Sequence, residues 1–493
     1  MMGAVMSDLV GRLEESKILE TLYLSDQAEF LALYGRRRIG KTYLIHSFFS
    51  HKEGHFFRVT GQKKGTLREQ IRGFMAAISQ TFYPGIEIKV KDNWFDVLEI
   101  LRQAILSHVA PDKKVVLFFD EFPWMVGRKS RLLEALEYYW NQYWSNDKRI
   151  KLIICGSSAA WIIRKIINQK GGLHNRITRK IQLKPFKLKE IKIFLDHKGV
   201  VLNHKQIIEI YMATGGVPYY LNPIEKGYSA AQIIEQLAFS ENGLLFKEFD
   251  NLFNSLFEEA QSYIDLLRIV AKNRYGIEQT QIISQSHFYS NGGTAVKKLN
   301  ELVETGFLMK FKPHFNKRKG IFYRLIDEYT FFYLSWIEPV KDTLQREALE
   351  SGYWTHLRES SAWRAWAGYT FESICYQHLP EIRKALGLNP TAIPDAWRYV
   401  PSKRENDQGA QVDLLFDRKD GVINLCEIKY TEQPFVLDRA QAAQLKTKLD
   451  VFVKKTGSKK QIFLTLISAS GVKPTFYSEE MITQVVSVDD LFL

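Results

Sequence analysis

Apolar residues group along this chain in two ways. In the first half, short unbroken runs stand out: "LALY" at Leu31–Tyr34, "VVLFF" just before Asp120, and "LIIC" just before Gly156. Runs of that length bounded by turn residues predict buried strands. In the middle, "SLFEEAQSYIDLLRIVAKNRYGIEQTQIISQ" predicts a long helix, a turn at Gly276 and a short helix. A third helix follows, with Ala295, Val296, Leu299, Leu302 and Val303 in a stripe at helical spacing. The apolar segments "FLMKF" and "GIFYRLID" then predict a hairpin, and three helices with a hairpin make a winged helix-turn-helix. "DEYTFFYLSWIEP" is dense in aromatics and is expected to pack between domains.

The last part carries a helix with Phe371, Ile374, Cys375 and Leu379 on its apolar side and Glu372 beside them. The strand "VDLLF", a turn at "DRKDG" and the strand "INLCEIKY" follow. Residues two apart on a strand share a face, so Glu427 and Lys429 lie together while Cys426 and Ile428 point the other way. Asp413 begins the preceding strand, and an antiparallel hairpin lets its carboxylate converge with that of Glu427.

Composition narrows the class. With 493 residues, and about 150 per domain, the chain holds three or four units; 45% hydrophobic and 25% charged residues are those of a globular protein. Acidic residues occupy the N-terminus where a signal peptide would be apolar, and no run of about 18 apolar residues occurs. A soluble, cytoplasmic chain without membrane contact is expected. Cys155, Cys375 and Cys426 are few, scattered and set in apolar runs, which excludes a disulfide scaffold and predicts reduced core thiols. The net charge of +13 favours an anionic partner such as nucleic acid.

"GRRRIGKT" after the first strand is an intact G-x-x-x-x-G-K-T loop. Its backbone from Gly35 through Arg36, Arg37, Arg38, Ile39 and Gly40, with Lys41, Thr42 and Tyr43 opening the helix, is suited to surround the phosphates of ATP. Lys41 would reach the β and γ oxygens and Thr42 would hold Mg2+. Asp120 is placed to orient the magnesium, and Glu121 to activate the attacking water.

In order along the chain, "LVGRLEESKILETL", "YGRRRIGKT", "FFDEFPWM", "LIICGSS" and "ATGGVPYYL" resemble the archaeal-type ATPases, a branch of the AAA+ and STAND P-loop proteins. The resemblance covers roughly the first 240 residues and continues through a winged helix. It implies a parallel P-loop sheet with a helical lid, Val10, Gly11 and Arg12 near the adenine, and Ser157 as a γ-phosphate sensor. Gly216 and Pro218 would belong to a lid motif near the base. Arg176 maps onto a family arginine and is read either as an arginine finger or as a surface arginine.

The C-terminal set resembles the PD-(D/E)XK nucleases: Asp413 as the D, Glu427-Ile428-Lys429 as the E-x-K, and Glu372 as the acid on the preceding helix. Val412 stands in place of the motif's proline. The resemblance implies Mg2+ on Asp413 and Glu427, with Lys429 stabilising charge during phosphodiester cleavage.

The expected fold class is thus α/β: a P-loop core over 1–190, a helical lid over 191–250, a winged helix-turn-helix over 251–345 and a small restriction-endonuclease-like domain over 350–493. Between Leu308 and Arg324, Lys310, Lys312, Lys317, Arg318, Lys319 and Arg324 stand without an acid. They form either a solvated hairpin tip or a wing on DNA phosphates, with Thr294, Lys297 and Lys298 approaching a groove. The functional expectation is an ATPase that engages DNA and carries a nuclease-like domain. The alternative is an ATP-gated switch, binding DNA or protein, whose nuclease fold is inert and whose C-terminal hairpin holds an incidental solvated ion pair. A homo-oligomer or a protein partner stays open in both.

Overall fold

The computed structural model describes residues 9–127, 129–168, 173, 175–240, 242–289, 292–312, 320–346, 352–401 and 408–493. Lys317, Arg318 and Lys319 of the expected wing lie outside the described residues. The chain divides into two compact units, one running to Pro185 with Val217–Tyr219, the other made of Phe186–Gly216 and Tyr220–Leu493.

The first unit is built on five strands: β1 Glu29–Tyr34, β2 His55–Thr60, β3 Val115–Asp120, β4 Ile150–Gly156 and β5 Arg179–Gln182. They are all parallel, in the order β2-β3-β4-β1-β5. The predicted strands are unbroken apolar runs because both faces of a parallel sheet are covered. On β1, Phe30 and Ala32 join one core with Phe57, Phe119 and Ile154. Leu31 and Leu33 face the other core, where Leu44 and Ile45 of helix Lys41–Phe49 pack. That docking brings the loop between β1 and the helix to the carboxyl edge of the sheet, beside the ends of β3 and β4, where open α/β sheets bind their ligands.

In the second unit, the long helix expected after Phe253 is two helices, Leu244–Leu256 and Ala260–Ala271. The break follows from Phe257, whose extended backbone lets its ring leave the helix and stack on Tyr263 at 3.8 Å. The chain turns at Gly276 (φ +92°) as predicted, then forms β6 Ile277–Glu278, helices Gln279–Gln285 and Gly292–Glu304, β7 Leu308–Phe311 and β8 Phe322–Leu325. These strands form an antiparallel sheet in the order β6-β8-β7.

The aromatic stretch after Asp327 is packing, as its composition suggested. Tyr333 stacks on Phe249 at 4.0 Å, and Trp336 meets Trp354 and Trp366 edge-on.

Helix Ser361–Gln377, capped by the Ser360 hydroxyl, precedes the C-terminal sheet. Its strands are β9 Ile393–Tyr399, β10 Ala410–Asp417, β11 Val422–Lys429, β12 Gln461–Ser468 and β13 Gln484–Ser487, in the order β13-β12-β11-β10-β9. The hairpin β10–β11 is antiparallel, whereas β11–β12 and β12–β13 are parallel. Helix Arg439–Thr456 covers the face that carries Ile423 and Leu425, and with period two this is also the face of Glu427. All three cysteines are buried and free. Among the described residues no helix is long and apolar enough to cross a membrane.

Glu328 is buried in this unit and accepts a hydrogen bond from Gln377 Nε2 at 2.9 Å. Burial raises its pKa from 4.5 to about 8. An acid shifted upward contributes stability that is whole below about pH 4.5 and is lost as the pH climbs through about 8. Glu328→Gln keeps an acceptor for Gln377 and removes the titration. Denaturant titrations at pH 5 and pH 9 are expected to show the variant gaining at least about 1 kcal/mol on the wild type at the higher pH.

Candidate functional site

The loop after β1 can follow its path only with glycine at its start. Gly35 has φ +151°, and a Cβ there would lie 2.3 Å from the Leu183 carbonyl oxygen. Gly40, at φ +86°, starts helix Lys41–Phe49 and leaves the helix's first N–H groups facing the loop. Lys41 is buried, and its ammonium donates to the Arg36 carbonyl at 2.9 Å. Arg36 is buried too, Arg37 is half-buried, and the Arg38 guanidinium lies 4.0 Å over the Tyr219 ring, next to Pro218. Tyr43 is exposed.

The ends of β1, β3 and β4 are joined by side chains. The Thr42 hydroxyl donates to Asp120 Oδ2 at 2.8 Å, and Asp120, buried at the end of β3, also accepts the Glu121 N–H at 3.1 Å. Arg58, which no motif in the sequence marks, stands 3.6 Å from the same carboxylate. Glu121 takes a left-handed backbone (φ +46°), and its carboxylate accepts both the N–H and the hydroxyl of Ser157, at 3.0 and 2.9 Å. A hydroxyl and a carboxylate beside a phosphate loop are a donor set with which magnesium keeps its waters and phosphate oxygens, so Thr42 and Asp120 fit that ion.

Arg12 follows Gly11 (φ +75°) and is itself left-handed, at φ +57°. Its buried guanidinium donates to the Ile39 carbonyl at 2.9 Å and pairs with Glu15 at 3.5 Å. It therefore touches the loop through Ile39. Arg176 stands exposed in the turn after Leu173. Gly216, at φ +69°, runs so close to Phe186 that a Cβ would meet its carbonyl at 2.2 Å, and Pro218 begins the short helix Pro218–Leu221.

The second candidate site is a cavity of about 680 Å³ in the other unit, walled in part by Glu372, Asp413, Glu427, Lys429 and Lys448. Between Val412 and Leu415 the pairing of β10 with β9 slips by one residue. Such a bulge re-aims a side chain; here the Asp413 carboxylate accepts the Ile428 N–H across the hairpin at 3.2 Å. Glu427 is buried, with Lys429 at 2.8 Å on one oxygen and Lys448, from helix Arg439–Thr456, at 2.5 Å on the other. The acid of the hairpin's ion pair is thus buried while the Lys429 side chain stays 35% exposed, and Lys448 completes the set. Only the packing of that helix over the face of Glu427 reveals this lysine.

The charges shape one another. Burial and the nearby Asp413 push Glu372 up to about 8. Burial and Glu427 raise Asp413 as well. Burial would raise Glu427 too, but Lys448 and Lys429 hold it below the usual carboxylate range. Arg324, expected on a DNA-facing wing, instead lies 5.1 Å over the Tyr376 ring and lowers Glu372 electrostatically. Lys298, expected to approach a groove, is buried and bonds Ser262 Oγ at 2.7 Å and Glu259, because its position on helix Gly292–Glu304 faces helix Ala260–Ala271. Among the described residues no group of three or more His, Cys, Asp or Glu side chains is arranged around a metal position. Asp413 and Glu427 still supply two carboxylates, as many as magnesium takes when phosphate and water complete its shell.

Residues 9–224 match the sequence profile of a family described as an ATPase domain predominantly from Archaea. This part of the chain is similar to the archaeal-type P-loop ATPase domains. The matched stretch holds the whole of the first site. Over 409 residues, 82% of this chain and 83% of the relative, the sequence is 24% identical to the uncharacterized protein MJECL04 of Methanocaldococcus jannaschii. It is 45% identical over 53 residues, 11% of this chain and 86% of the relative, to the uncharacterized ATP-binding protein MJ0423 of the same organism. Among solved structures, the Walker-type ATPase PABY2304 of Pyrococcus abyssi superposes with a TM-score of 0.46 at 18% identity, covering 67% of this chain and 97% of the other.

If Arg12 braces the loop rather than reading the base, Arg12→Ala weakens every nucleoside triphosphate alike. Titration calorimetry is expected to give about a tenfold loss for ATP and for GTP together, the worth of one buried charge-assisted hydrogen bond. A loss confined to ATP would assign Arg12 to the adenine.

Proposed function

We propose that this protein binds and hydrolyses ATP as an AAA+/STAND-type ATPase, engages DNA through a winged helix, and carries a PD-(D/E)XK nuclease in its C-terminal part. One observation carries the nuclease reading: a buried Glu427 clasped by Lys429 and Lys448, with Asp413 beside it across the hairpin, on the wall of an open cavity.

In the ATPase domain, the loop N–H groups from Gly35 to Gly40 bind phosphate, and the Lys41 ammonium exchanges the Arg36 carbonyl for the β and γ oxygens. Glu121 orients and deprotonates the attacking water, and its bond to Ser157 holds it off until the γ-phosphate arrives to compete for the serine. Magnesium, when bound, is held by Thr42 and Asp120 here and by Asp413 and Glu427 in the C-terminal site, and supplies charge neutralisation and an activated water. Lys429 stabilises the charge that develops on the phosphodiester, and Lys448 orients Glu427. Glu372, protonated near neutral pH by its surroundings, is placed to hold a proton beside the leaving oxygen.

The helices Ala260–Ala271, Gln279–Gln285 and Gly292–Glu304 with the sheet β6-β8-β7 support the winged-helix reading. Thr294, Lys297 and Lys312 are exposed and available to phosphates.

A second reading draws on the same clasp. With both Glu427 oxygens engaged by ammonium groups, the C-terminal part serves as an inert platform, and the protein is an ATP-gated switch for DNA or a protein partner. Plasmid cleavage in magnesium separates the two. Glu427→Ala is expected to cut at least a hundredfold more slowly than the wild type while still folded by circular dichroism at the assay temperature, and Lys41→Ala to lose ATP uptake in calorimetry. Equal cutting by Glu427→Ala and wild type sinks the nuclease assignment and leaves the switch.

A further inference from the structure

The C-terminal cavity is not lined by the C-terminal sheet alone. Tyr275, from the turn before β6, forms part of its wall, facing Tyr369 of helix Ser361–Gln377 with ring centroids 5.9 Å apart and planes at 79°. Each ring is backed by a guanidinium: Arg398 lies 4.8 Å over Tyr275, and Arg274 lies 4.0 Å over Tyr369. The turn that presents Tyr275 is fixed in place, since Gly276 passes so close to Phe311 that a Cβ would meet the ring at 2.8 Å.

The floor beside these rings is shallow and small. Arg364, Ala365, Gly368, Tyr369 and Glu372 follow one another at helical spacing along the cavity wall, and the space above Gly368 is open. A flat group entering there lies on small residues against the wall made by the two tyrosines, with exposed Arg364 and the carboxylates also lining the cavity. That is the arrangement of single-strand binders, which pair aromatic platforms for bases with cations for the backbone. A cavity of about 680 Å³ is sized for a ligand of one or two nucleotides and not for a duplex.

We propose that this cavity takes an unpaired nucleotide of single-stranded DNA, its base stacked against the Tyr275–Tyr369 wall and its phosphate led by Arg364 towards Asp413 and Glu427. The middle part of the chain thereby supplies half of the substrate's grip. The assignment rests on the nuclease reading only for what happens to the strand afterwards.

The full chain is tested in EDTA, so that no strand is cut, by anisotropy of a labelled 12-nucleotide single strand and by photocrosslinking of the same strand carrying 5-iodouracil. Tyr275→Ala is expected to weaken single-strand binding about five- to thirtyfold, the worth of one stacked base, while Tyr275→Phe stays within about twofold. Arg364→Gln, on an exposed side chain, is expected to weaken binding and flatten its salt dependence by about one phosphate contact. Crosslinks should map to Tyr275 or Tyr369, and a blunt duplex of the same sequence should bind all variants alike. Wild-type affinity in both Tyr275→Ala and Arg364→Gln, crosslinks elsewhere, or no single-strand binding by the wild type overturns the proposal. Cleavage that survives Tyr275→Ala with unchanged KM also sinks it while leaving the nuclease reading intact. A Tyr275 effect on binding in a protein that never cuts sustains it and sinks that reading.

Discussion

A carboxylate taken out of water must be met by donors or cations, or it gives up its charge. Both candidate sites are organised by that constraint. Asp120, buried at the end of β3, is met by the Thr42 hydroxyl, the Glu121 N–H and the Arg58 guanidinium. Glu427, buried at the end of β11, is met by two lysines. Among the described residues Glu372 has no such partner within bonding distance, and it takes the other course, holding its proton to about pH 8. Lys41 rests on a loop carbonyl, Glu121 on Ser157, and Lys429 on Glu427. The two lysine contacts are charge-assisted hydrogen bonds, the stronger kind.

How much of this was legible depended on whether the information is contiguous. The phosphate loop is a local device: Gly35, Gly40, Lys41 and Thr42 act through backbone within a few residues of one another, and their spacing survives into the structure unchanged. Asp120 and the Glu427-x-Lys429 pair were legible for a similar reason, since strand periodicity fixes which residues share a face. Lys448 and Arg58 were not. They reach their acids from elements whose docking, not spacing, decides the contact.

The same limit explains the misassigned cations. Lys298 is one residue from the exposed Lys297 on a helix with an apolar stripe, yet a turn of about 100° separates surface from interior, and its long apolar stem lets it cross the edge of the stripe to Ser262. Arg324 belongs to a strand read as part of a wing. Its neighbours, Tyr376 and Glu372, come from a helix that begins 37 residues later, a distance at which sequence pattern carries no signal.

Within the second unit the helices after Phe186, the small sheet and the C-terminal part do not behave as independent bodies, and aromatic packing is the reason. The Trp354 amide donates to Glu235 at 2.7 Å, its indole stacks on Phe239 at 5.1 Å, and Trp366 lies against Phe331 and Phe332. A buried tryptophan withdraws on the order of 150–250 Å² from water, so cutting the chain near residue 350 would expose several such surfaces at once, together with the partnerless face of helix Ser361–Gln377. The segment that carries Asp413 and Glu427 is therefore held by the helices and the small sheet that precede it. Both β8 and the turn at Gly276 border the carboxylates, β8 through Arg324, which lowers Glu372, and the turn through Tyr275 in the cavity wall.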